Sequence, residues 1–343
     1  MGFLTRLRKH ANLSPRLRLV LRAGVSAAIL WMLSQRIDFH AVFAAAARVP
    51  PGILALALAA MGAGIWLDAV RWWMLQHPPG IAIPLRRTWQ ITLAGMFFNV
   101  VLPGNTGGDL LKLAYGVRER PERRLSLALS VVLDRFFGFT ALFVLALVAA
   151  LAGFGGIRAA APELAFPLVA GLALAVGALA AAAVLATVPG ERWPSFAARL
   201  VERLPFAAHR VRIKSDLQSA FTNRWSAAAG AVAFAMPLLM FSTGWLLARS
   251  MGIEVSLARM LVIMPLAFVV SCLPVSFGGL GVREGAFVLL FTAFGVTAAN
   301  PGIREAAVAF SLLYYAVGLA WSLLGGAVYL SFKNSGAARE PSP

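Results

Sequence analysis

The sequence predicts an all-α polytopic membrane protein with six full spans and two Pro/Gly-broken re-entrant hairpins related as an inverted repeat. Three observations predict it. Hydrophobic residues make up 60% of the 343 residues and charged residues only 13%, with a mean hydropathy of +0.78, a balance that suits solvation by lipid. Basic residues cluster between apolar stretches, as Lys and Arg do in cytoplasmic loops. A motif of the form L-P-x-x-x-G-G occurs twice, at Leu102–Gly108 and at Leu273–Gly279, half the chain apart. Each copy interrupts an apolar stretch, and matched breaks in two halves point to a transporter-like binding site.

A spanning helix needs about 20 mostly apolar residues. Six stretches qualify, at about 17–34, 52–71, 125–152, 164–188, 226–248 and 306–331, and two more, about 89–117 and 257–296, contain the breaks. The first span follows Arg6, Arg8, Lys9, Arg16, Arg18 and Arg22. This basic start also fits a signal peptide, but the long run and its flanks favour an uncleaved helix. The predicted organisation is a basic cytoplasmic arm (1–16), one membrane domain (17–332) and a disordered tail (333–343). The halves are about 17–152, with hairpin 89–117, and 164–332, with hairpin 257–296.

Charge decides how the broken segments run. If 89–117 crossed the bilayer, Arg118, Arg120, Arg123 and Arg124 would lie outside; a hairpin leaves them inside with Arg71, Arg86 and Arg87. The connection 189–225, with seven Lys/Arg against three acids, is then cytoplasmic. The second hairpin enters from the opposite face, and both termini are cytoplasmic. The alternative of eight kinked spans places both basic clusters outside. Gly153-Phe154-Gly155-Gly156 reads as an outer loop, while Gly171 and Gly177 suit close helix packing.

The formal net charge of +17 fits anionic lipid; no nucleic-acid motif accompanies it. The single cysteine, Cys272, excludes an internal disulfide, and the four scattered histidines form no metal cluster. No cofactor and no metal are expected.

Pro and paired Gly free backbone groups at membrane depth, where only protein or a watery cavity can satisfy them. Asn99, Pro103, Asn105, Thr106, Gly107, Gly108, Asp109 and Lys112 are the candidates at the first break. Pro274, Ser276, Gly278, Gly279, Gly281, Arg283 and Glu284 are those at the second. Asp109 and Lys112 share a helix face and can pair locally. Arg283 and Glu284, as sequence neighbours, are expected to point apart, so that at least one pairs elsewhere. Asp134 and Arg135 lie inside an apolar run, as structural tether or substrate contact. Asp68 with Arg71, Trp72 and Trp73 reads as an interfacial anchor, and Tyr314, Tyr315 and Trp321 as packing.

At these residues the chain resembles the membrane domain of lysylphosphatidylglycerol synthases, a flippase-like family. The first family signature, N-x-x-L-P-x-x-x-G-[ED]-x-x-[RK], is similar to the run from Asn99 through Leu102, Pro103, Gly107, Gly108 and Asp109 to Lys112. The following acid-Arg pair corresponds to Asp134-Arg135. The second signature, P-x-x-x-G-G-x-G-x-x-E, corresponds to Pro274, Gly278, Gly279, Gly281 and Glu284. Asp stands where Glu is more usual and Lys112 where Arg is common. The synthases' soluble aminoacyl-transfer domain is expected to be absent, so lipid aminoacylation is not carried over.

The resemblance implies movement of a phospholipid or lipid-linked headgroup across a bacterial inner membrane. Lys112 and Arg283 would contact phosphate, and Asp109 and Glu284 a cationic group or a proton. The expected partners are membrane lipids, with a homo-oligomer or a separate lipid-synthesising enzyme as further possibilities. Secondary transport of a small solute is the alternative. A lipid-modifying enzyme with Asp109 or Glu284 as base is a weaker one, since the chain has no recognisable catalytic motif.

Overall fold

The computed structural model describes residues 39–81, 83–101, 106–187, 210–271, 279–298 and 302–337. The arm, the expected first span at 17–34, and Pro103, Asn105, Cys272, Pro274, Ser276 and Gly278 lie outside the described residues. So do 188–209 and 338–343.

The described chain is helical apart from one short strand pair. In chain order the helices are α1 (Phe39–Ala47), α2 (Pro51–Leu75), α3 (Leu85–Val101), α4 (Gly107–Glu119), α5 (Arg124–Ala152) and α6 (Phe154–Ala160). They continue with α7 (Pro162–Thr187), α8 (Arg210–Thr222), α9 (Arg224–Ser250), α10 (Leu257–Ser271), α11 (Val282–Ala293) and α12 (Ile303–Ala337). Five of these, α2, α5, α7, α9 and α12, are long and apolar enough to cross a membrane. They match the five expected spans that fall on described residues. Helix α8 adds structure to the connection 189–225, and the Gly-rich stretch expected as a loop forms the short helix α6.

Helices α3, α4, α10 and α11 are shorter. At 1.5 Å per residue they reach only about 18–26 Å, less than the hydrocarbon thickness of about 30 Å. They form two antiparallel pairs, α3–α4 and α10–α11, each broken where the repeated motif lies. The first pair has its two open ends together: Arg87, near the start of α3, bonds Glu119 at the end of α4 at 2.7 Å. The second is closed at its base by two strands, β1 (Ile253–Glu254) and β2 (Thr297–Ala298), paired antiparallel.

The two bases lie at opposite ends of the bundle. The basic end gathers the end of α2 and the starts of α5 and α9. There His77 stacks on Trp225 at 4.2 Å, and Arg123 donates to the Pro79 carbonyl. The other end gathers β1, the start of α10 and helix α6, where Arg259 donates to the Gly156 carbonyl.

The main core forms where α5, α9, α10, α11 and α12 bury their apolar faces, with Phe291, Phe310, Leu247 and Met260 fully enclosed. A second cluster around Trp72, Ile91, Leu111 and Leu127 seats the first pair against α2 and α5. Helix α7 departs from expectation. Gly171 and Gly177 have nothing within 4 Å of where a Cβ would sit, and only Ala165 and Leu172 on this helix are buried. Gly171 and Gly177 thus meet no described helix, where close packing was expected.

Candidate functional site

The tip of the first pair is built by close approach. A Cβ on Gly107 would fall 2.2 Å from the Phe98 carbonyl oxygen, so only glycine lets α4 start this close to α3. The Asn99 side chain on α3 accepts from the Gly108 N–H at 2.7 Å and so satisfies one of the open donors at the start of α4. Asp109 lies in the first turn of α4, where a negative charge complements the helix dipole.

Beside this tip, α2, α4 and α5 contribute a closed ring of alternating charge. Arg71 donates to Asp68 at 2.6 Å and to Asp134 at 2.7 Å. Lys112 donates to Asp134 at 2.8 Å and to Asp68 at 3.1 Å. Arg71, Lys112 and Asp134 are buried, at 6%, 4% and 2% exposure. The lysine ammonium also lies 5.2 Å from the centre of the Trp72 ring, and the third guanidinium nitrogen of Arg71 reaches the Met236 sulfur. Each cation bridges both carboxylates, and each carboxylate uses both oxygens. Ions at membrane depth survive only when compensated in this way.

The expected local pair between Asp109 and Lys112 is therefore replaced. Lys112 turns into the ring, and Asp109 instead accepts from Arg135 of α5 at 2.6 Å. With this pair the network, among the described residues, holds three acids and three bases and is neutral. The Arg135 and Asp109 side chains keep 35% and 23% exposure, which makes this pair the open edge of the network.

Asp68 and Arg71 are the members the sequence reading misplaced as an interfacial anchor. The missed signal is one of depth: Asp68 in α2 and Lys112 in α4 each stand two turns before the basic end of their helix, about 10 Å along the axis. Three helices that carry ions at one depth in an apolar bundle bring them together.

The second break is tied more locally. Gly281 precedes α11 with φ of +81°, a backbone region that disfavours side chains. Its N–H donates to Glu284 at 2.6 Å. Ser311 of α12 donates to Glu284 at 3.1 Å and accepts from Arg283 at 3.0 Å. Arg283 and Glu284 do not point apart. The guanidinium folds back to pair with Glu284 while lying 4.2 Å from the Tyr315 ring centre. Glu284 is buried at 1% exposure. Ser311 carried no signal in the sequence, and Tyr315 read as packing.

The two clusters flank a narrow apolar cleft between α2, α9 and α12, lined by Ala57, Met61, Met240, Thr243, Tyr314 and Val317. Met240 is one turn beyond Met236, which touches Arg71, and Tyr314 adjoins Tyr315, which carries Arg283.

Five long apolar helices, and two broken helix pairs with charges buried at their tips, define a multi-pass, all-helical membrane protein. The chain belongs to the family described as lysylphosphatidylglycerol synthase TM region, whose pattern matches residues 19–326. No curated protein matches the chain.

Proposed function

We propose that this protein moves a phospholipid or lipid-linked headgroup between the leaflets of a bacterial inner membrane. The two broken pairs then act as re-entrant hairpins of an inverted repeat, with the basic end cytoplasmic. The headgroup enters between them while the acyl chains remain in lipid. Support comes from the lipid in the family's name, the two pairs opening toward opposite ends, and the charged groups at their tips.

The observation that carries the reading is the neutral network with one open edge. A headgroup with a phosphate and a cationic group can exchange partners with Asp109 and Arg135 without leaving an uncompensated charge in hydrocarbon. Arg135 meets phosphate first. Lys112, held by two carboxylates, reaches it only when the ring opens, and Arg283 takes the corresponding role at the second break. Glu284 and Asp109 receive a cationic group or a proton. The cleft between the clusters must widen for this, because in the present arrangement it would hold only a few atoms.

Transfer of a fluorescent phospholipid between leaflets of proteoliposomes tests the reading. Asp109→Asn and Arg135→Gln act at the open edge, so the protein should remain folded while transfer falls to the level of empty vesicles. Full transfer in both folded variants would reject the site. Saturable solute uptake with no lipid movement would favour a solute transporter.

A further inference from the structure

Below the ring, α2 and α5 carry polar residues one turn apart along their shared face: Asp68, Trp72 and Gln76 on one, Asp134, Ser130 and Ser126 on the other, Gln76 standing just past the last residue of α2. Because the helices run antiparallel, these form successive rungs. The top rung is the ring itself, through Arg71. At the next, the Trp72 indole N–H donates to Ser130 at 3.2 Å, and Ser130 donates to the Leu127 carbonyl. Nearer the basic end, Arg123 donates to the Pro79 carbonyl at 3.4 Å.

The same register puts Gln76 opposite Ser126, between those two bonds. Both residues have 0% exposure. Both side-chain polar atoms of the Gln76 amide, and the Ser126 hydroxyl, are buried without a hydrogen-bond partner among the described residues. Buried polar groups are almost always bonded, to protein or to ordered water. A site with an amide donor, an amide acceptor and a hydroxyl supplies the two to four partners that an internal water needs.

We propose that Gln76 and Ser126 form a buried water-binding site at the basic end of the α2–α5 interface. The Trp72–Ser130 bond is then the single rung that separates this internal water from the charged ring. The site stands on the buried amide and hydroxyl, and holds whether or not a lipid headgroup is the substrate.

Radiolytic hydroxyl labelling of the purified full chain in lipid nanodiscs, read by mass spectrometry, tests it, because a bound water produces radicals inside the protein. Trp72 is fully buried, yet it should label strongly. Phe291, equally buried in the apolar core, serves as the dry reference, and Trp66, at 41% exposure, as the exposed one. In Gln76→Met/Ser126→Ala, Trp72 labelling should fall several-fold with Trp66 unchanged. Ser126→Thr, which keeps the hydroxyl, should retain it. A wild-type Trp72 as unreactive as Phe291 would overturn the proposal. So would undiminished Trp72 labelling in the double variant or, if that variant fails to fold, in Ser126→Ala alone.

Discussion

The two broken helix pairs share a motif and a hairpin shape, but they are held by different forces. The tip of the first is fastened to α2 and α5 by four ions that each satisfy two partners. The second is fastened to its own helix start and to one serine and one tyrosine of α12. Their bases differ too, an ion pair closing the first and paired backbone strands the second. Charged groups can be displaced by a charged ligand, whereas backbone pairing cannot. On the function proposed above, the first pair would be the part that a polar ligand unlocks, and the second the frame it moves against.

The sharpest way to break this contrast is to remove one ion from each cluster. Lys112→Met leaves Asp68 and Asp134 sharing the single cation Arg71. Losing one partner of a buried ion set costs about 3–5 kcal/mol, so this variant should lose most of its resistance to unfolding in detergent. Adding Asp68→Asn restores neutrality and should recover part of the loss. At the second break, Glu284→Ala deletes an acceptor used by the Gly281 N–H, Ser311 and Arg283. The Arg283 left behind is more exposed than Arg71 or Lys112 and keeps Ser311 and the face of the Tyr315 ring as partners, so the expected loss is smaller. A larger loss for Glu284→Ala than for Lys112→Met would reverse the assignment of lock and frame.

Much of this architecture was legible because lipid imposes simple rules. Apolar length located α2, α5, α7, α9 and α12, and the doubled motif, in which Pro and Gly-Gly come together, falls at the α3–α4 and α10–α11 junctions, whereas the lone Pro167, Pro237 and Pro265 stay inside helices. Asp109, Lys112, Asp134 and Arg135 were found for the same reason: ions in an apolar run need partners. Which partner each one takes was not legible. Spacing along α4 favoured a pair between Asp109 and Lys112, but the stronger demand came from Asp68 and Asp134 on two other helices, and long-range packing decided it. Ser311 was invisible because a serine in a membrane helix usually bonds its own backbone. Gly171 and Gly177 read as packing sites, but glycine marks close packing only where another helix arrives, and no described helix lies against those positions of α7.

A glycine in each pair sharpens the comparison further. Gly107→Ala drives a Cβ into the Phe98 carbonyl, so α3 and α4 must separate at the tip. Overpacking of this kind costs about 1–3 kcal/mol and should loosen the Asn99 cap and the ring with it. Gly285, one turn into α11, has nothing within 4 Å of a Cβ. Alanine there should be harmless, or stabilising by about 0.5–1 kcal/mol through helix propensity. Thermal unfolding of the two single variants in the same detergent reads the difference directly.

The smallest effect expected is at the base of the first pair. Arg87 and Glu119 bond at 2.7 Å, but their side chains keep 27% and 35% exposure. Exposed pairs contribute only about 0.2–1 kcal/mol and weaken with salt. Glu119→Gln should therefore leave global stability nearly unchanged and act only on local opening. Hydrogen exchange of α4 backbone amides near Glu119 should rise in the variant at low ionic strength, and wild type should approach the same rate as salt is added. Exchange at Ile253 and Ala298, which pair through backbone across β1 and β2, should not respond to salt. Equal salt sensitivity at the two bases would mean that backbone pairing does not close the second pair, and the distinction between an unlockable hairpin and a fixed one would be lost.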